Sequence, residues 1–77
     1  MLSIKARMTL DLEATRWKHA GAKESHIRWI FTEPATAYYQ RLNHLLDQPQ
    51  ALAYAPMVVK RLQRQRAVRR AARTSAV

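Results

Sequence analysis

Apolar positions along the chain recur at helical spacing, and the breaks between the runs are short. Leu10, Ala14 and Trp17 fall at i, i+4 and i+7, one stripe of a first helix predicted from its N-cap Ser3 to about Ala20. Asp11 and Glu13 lie in its middle, and Arg16, Lys18 and His19 near its end, where cations suit the negative pole of the helix dipole. Gly21, the single glycine, is expected as the left-handed residue that closes this helix. A short second helix, about Lys23 to Phe31, would bury Ile27, Ile30 and Phe31, with Trp29 off that stripe. Thr32-Glu33-Pro34 ends it, because proline cannot continue a helix and disfavours helical backbone at Glu33. Pro34 is expected as the first residue of a third helix, where its missing N–H costs nothing.

That third helix, about Pro34 to Asp47, puts Ala35, Tyr38, Tyr39, Leu42, Leu45 and Leu46 on one broad face. Thr36, Ala37, Gln40, Arg41 and His44 share the opposite face. After Gln48-Pro49-Gln50 a short turn of helix is predicted over Ala51 to Tyr54, with Tyr54 as a packing plug. A last helix starts near Pro56, anchored by Val58, Val59 and Leu62. Beyond Leu62 only Val68 and alanines are apolar, so this helix should leave the core and fray toward Thr74. The fold class that follows is all-α: a small bundle of four to five helices with a helix-turn-helix-like unit at 23–47 and a basic C-terminal helix. Residues 1–59 form the helical body and 60–77 the extension.

Size and composition narrow the picture. A chain of 77 residues is one small domain, burying only about 60% of its unfolded surface. With no cysteine it has neither disulfide nor thiolate metal site. No run approaches the ~18 apolar residues of a membrane span, and MLSIKARM lacks the apolar core of a signal peptide; a cytoplasmic protein with no membrane contact is expected. Charge changes the picture most. Fourteen Lys and Arg face five Asp and Glu, a net +9. Residues 1–59 hold seven basic and five acidic residues, a net +2. Residues 60–77 hold Lys60, Arg61, Arg64, Arg66, Arg69, Arg70 and Arg73 and no acid, a net +7. A balanced body with a basic arm points to a polyanionic partner.

Candidate chemistry is sparse. The chain has no Ser/His/Asp or Cys/His constellation and no phosphate-cradling glycine loop. His19, His26 and His44 share no metal-ligand spacing, and the five acids are expected on solvent faces. No catalytic residue, cofactor or metal site is therefore assigned. Ile27 to Asp47 reads first as a helical hairpin and, more sharply, as a helix-turn-helix, whose second helix enters the major groove of double-stranded DNA. Gln40 and Arg41 are residue types that contact adenine and guanine in bidentate fashion. Thr36 and His44 can reach phosphates, and Ala37 permits close approach or contact with a thymine methyl. The basic run would grip phosphates without regard to sequence. Trp17, Trp29, Tyr38 and Tyr39 are expected as core or boundary residues.

The order Trp17-Lys18-His19-Ala20-Gly21-Ala22-Lys23-Glu24, then Ala35-Thr36-Ala37-Tyr38-Tyr39-Gln40-Arg41-Leu42-Asn43, then Pro49 to Ala53 and Pro56 to Leu62 resembles a known family. It is the group of small actinobacterial and actinophage proteins called domain of unknown function 3263, and the likeness spans residues 2 to 66. The resemblance implies a helix-turn-helix-like, DNA-binding protein, acting in the host cytoplasm if phage-encoded. Family members often carry a serine where Pro34 stands and an arginine where Ala37 stands; Ala37 removes a cation from the face aimed at DNA. The expected function is DNA binding in transcriptional regulation, with a homodimer matching a palindromic site. The rival is a helical adaptor or inhibitor of a host protein whose basic helix docks on an acidic surface. Association with RNA through the arginine-rich helix is a third reading.

Overall fold

The computed structural model describes residues 1–75, and they form five helices and no strand. These are α1 (Ile4–Ala14), α2 (Ala20–Phe31), α3 (Ala35–Leu45), α4 (Pro49–Tyr54) and α5 (Pro56–Ser75). The all-α expectation holds, and the last two predicted extension residues, 76 and 77, lie outside the described residues.

Ser3 caps α1 as expected, its Oγ accepting from the Ala6 N–H at 3.0 Å. The other end of α1 differs from expectation. The helix stops at Ala14, because Thr15 turns extended and its N–H returns to the Leu12 carbonyl. The indole N–H of Trp17 donates to the same carbonyl at 3.3 Å. Trp17 thus folds back over the helix end instead of extending its stripe. The chain re-enters helix at Ala20, so Gly21 sits in the first turn of α2, without a positive φ. Its expected role as a left-handed stop falls to another residue. Thr32, closing α2, takes that conformation with φ 51° and ψ 34°, which is uncommon for a β-branched side chain. Pro34 is the extended N-cap of α3 rather than its first helical residue.

The core gathers Leu10 and Leu12 from α1, Ile27 and Phe31 from α2, and Tyr38, Leu42 and Leu45 from α3, with Leu46 just beyond. Ala51, Val59 and Leu62 complete it from α4 and α5. α2 pairs with α3, and α5 lies on α1 and α4. At ~1.5 Å per residue the 20 residues of α5 run ~30 Å, yet burial on this helix ends at Leu62. Its outer half therefore overhangs the body, in helical conformation through Ser75.

Three side chains depart from the predicted inside-outside pattern. Glu13, expected on a solvent face, is only 5% exposed. Trp29, expected in the core or at its boundary, is 79% exposed, and Tyr54, expected as a packing plug, is exposed with its hydroxyl donating to Asp11 at 3.0 Å. Tyr39 lies at the boundary, on the exposed edge of α3.

Candidate nucleic-acid interface

Two polar networks fasten the helices before any cation is left over for a partner. The first centres on Glu13 of α1. Its carboxylate accepts from Lys23 Nζ of α2 at 2.9 Å and from the Tyr38 hydroxyl of α3. Arg61 of α5 donates to the Glu13 carbonyl at 2.6 Å, satisfying an acceptor near the α1 C-terminus that the helix itself leaves open. Burial, reinforced by the adjacent carboxylate, pushes the Tyr38 hydroxyl far above its ordinary pKa of 10.0.

The second network centres on Arg41. Its guanidinium donates to Thr9 Oγ1 of α1 and to Glu33 Oε1 in the turn before α3, both at 2.6 Å. It also lies 4.9 Å from the centroid of the Phe31 ring and 5.4 Å from that of Tyr38, a cation–π arrangement. Lys5 approaches the other Glu33 oxygen at 3.6 Å. Burial tends to raise the Glu33 pKa, but the hydrogen bond and charge of Arg41, with Lys5, hold it below the usual 4.5. The Arg41 Nε is buried without a hydrogen-bond partner among the described residues.

Arg41 was expected to face a DNA groove, and the geometry instead turns it inward as the pin of α1, α3 and the turn. Its four companions lie elsewhere on α3. Thr36, Gln40 and His44 are exposed, and Ala37 is half-buried. Ala37, Gln40 and His44 also line a depression of about 650 Å³ whose far wall is Met1 to Ala6. The predicted face therefore forms a trough shared with α1, in which the cations Lys5 and Arg41 are both engaged with Glu33.

The basic helix also divides. Gln63 Nε2 donates to the Leu46 carbonyl at 2.8 Å. Arg66 donates to the Asn43 side-chain oxygen at 2.9 Å and to Asp47 Oδ1 at 2.8 Å. The hydrogen bond from Arg66 lowers the Asp47 pKa, helped by the charges of Arg66, Arg70 and His44. These contacts clamp α5 across the C-terminal end of α3. Of the seven predicted phosphate-binding cations, Arg61 and Arg66 are thus structural staples. Lys60, Arg64, Arg69, Arg70 and Arg73 are exposed and make no hydrogen bond or ion pair among the described residues. Arg16, Lys18 and Arg28 in the body are likewise exposed and unpaired, but they are spread over two elements.

The family model that matches this chain covers residues 1–74 and is described as "Protein of unknown function (DUF3263)". The chain belongs to that family. No curated protein and no solved structure matches it. No group of three His, Cys, Asp or Glu that could hold a metal ion occurs among the described residues, and no helix among them is long and apolar enough to cross a membrane.

Spacing carried a signal for the residues that sequence reasoning misplaced. Arg41 stands three residues after the buried Tyr38 and four before the buried Leu45, so it borders the core stripe of α3. Glu13 follows Leu10 by three, and Arg66 follows Leu62 by four. Each continues an apolar stripe with a charge where that stripe still faces another helix, so an acceptor or donor lies within reach.

Proposed function

We propose that this protein binds double-stranded DNA chiefly through the phosphate backbone, with the outer half of α5 as the gripping element. The observation that carries this reading is the density of unpaired cations there: Arg69, Arg70 and Arg73 close together on one helix, with no acid anywhere in residues 60–77. An overhanging helix that spends no arginine on its own fold beyond Arg66 is suited to a polyanion. α3 supports a lesser contribution. With Arg41 engaged inside, Gln40 is the side chain of the predicted reading set that retains bidentate geometry for a base edge, while Thr36 and His44 offer single contacts. Site preference is accordingly small, and transcriptional regulation is the role in which a modest preference would be used. The reading is of a binding protein, with no catalytic step assigned.

Titration of a fluorescent random-sequence duplex over a range of salt concentrations tests it. Three to four phosphate contacts give a slope of log affinity against log salt of about −3 to −4. Absence of binding at low salt contradicts the reading. It would select a second one, a protein-interaction module, which draws support from Trp29. That residue is 79% exposed and its ring lies 6.2 Å from that of His26, which in turn lies 5.1 Å from that of Trp17; tryptophan is enriched among the residues that anchor protein interfaces.

A further inference from the structure

The cations of α5 do not point one way, and this separates those that can share a ligand with α3 from those that cannot. Successive residues of a helix turn by ~100°. The side of α5 that carries Val59 and Leu62 into the core continues outward as Arg66, Arg69, Arg70 and Arg73. Lys60 and Arg64 lie on the opposite side, followed outward by Ala67, Val68 and Ala71. The stripe that is apolar where α5 meets the body becomes basic once it passes the body's edge.

A groove of about 380 Å³ opens where that change occurs, between α3 and α5. Tyr39 and Asn43 form its α3 wall, and Gln65, Arg66 and Arg69 its α5 wall. Lys23 reaches into it and lies 5.4 Å from the Tyr39 ring centroid. Glu13 also borders the groove, but its two oxygens are occupied by Lys23 and Tyr38. Arg66 fixes the α5 wall to Asn43 and Asp47, so the groove has a defined width in the unbound protein.

We infer that one strand of bound DNA follows this groove and its basic continuation, with Arg69, Arg70 and Arg73 on its phosphates and Tyr39 and Asn43 against its sugars, while Lys60 and Arg64 make no contact. The inference rests on the DNA-binding reading and deepens it by naming the cations that serve it. From Arg69 to Arg73 the helix rises ~6 Å, so the three guanidinium groups follow one strand and do not straddle the duplex. Arg66, already paired, sets the position of the wall.

Two variants of the full chain test this: Arg69→Gln with Arg70→Gln and Arg73→Gln, and Lys60→Gln with Arg64→Gln. None of the five side chains has a hydrogen-bond or ion-pair partner among the described residues, so circular dichroism and melting temperature should match the parent in both. The triple variant is expected to flatten the salt slope by about 2 to 3 units, at roughly one unit per phosphate lost. The double variant should leave the slope within about half a unit of the parent. Equal flattening by the two variants overturns the groove assignment while leaving DNA binding in place. A parent protein that shows no salt-sensitive duplex binding overturns both, so the two failures are distinguishable.

Discussion

Arginines of the body and arginines of the outer half of α5 carry the same charge in different surroundings. Arg41 is 26% exposed at its side chain and Arg66 20%; each meets a carboxylate and at least one further acceptor. Arg69, Arg70 and Arg73 are exposed and meet none among the described residues. Arg41 and Arg66 hold helices together, so their removal should be felt first in folding. The outer set makes no hydrogen bond or ion pair among the described residues, and its removal should be felt chiefly in binding. A count of basic residues is thus a poor guide to an interface, and the partners of each residue are a better one.

The strongest way to break this contrast is at Glu13. Glu13→Ala leaves Tyr38 and Lys23 without their shared acceptor inside the bundle, an uncompensated arrangement that costs about 3 kcal/mol. In a domain this small that is a large fraction of total stability, and thermal unfolding would register it. Arg41→Ala comes next, at about 2 kcal/mol, since Glu33 keeps Lys5 and some solvent. If the contrast holds, any loss of DNA affinity in Arg41→Ala disappears at temperatures where the variant is fully folded. Persistence of a selective loss on one DNA sequence would return Arg41 to the reading face.

Alkaline pH probes the Glu13 network without deleting its acceptor. The folded-state pKa of Tyr38 is raised above its unfolded value of 10.0, so its contribution is intact below pH 10 and is lost as pH rises beyond it. The parent should lose up to about 1.4 kcal/mol more per pH unit above 10 than Tyr38→Phe does, measured by denaturant unfolding at a series of alkaline pH values. The smallest expected effect is at Gly21, inside α2 with nothing within 4 Å of an added Cβ. Gly21→Ala should stabilise by roughly 0.5–1 kcal/mol. Had Gly21 been a left-handed stop, the same change would destabilise.

Much of the fold was legible because apolar spacing alone determines it. Ile27 and Phe31 on α2, Leu42 and Leu45 on α3, and Val59 and Leu62 on α5 are buried as their periodicity requires. Helix ends were less legible, because tertiary contacts decide them. The α1 terminus depends on the Trp17 indole returning to Leu12, and the turn before α3 on Thr32 accepting a conformation usually left to glycine. In the candidate interface, the location of the basic arm was legible from composition. Which cations it keeps for itself was not, because Arg61 and Arg66 find acceptors on α1 and α3, 48 and 23 residues away in sequence. Arg41 was misplaced for the same reason: the helical wheel puts it at the border, and Thr9 on α1 draws it inward.

Titration of the isotopically labelled protein with a random-sequence duplex, followed by NMR chemical-shift mapping, tests the central claim most directly. The account predicts that the largest shifts fall on Arg69, Arg70, Arg73, Tyr39 and Asn43, with smaller ones at Gln40 and Thr36. Shifts concentrated on Lys60 and Arg64, or on Trp29 and the α1–α2 face, with the groove between α3 and α5 unmoved, would contradict it.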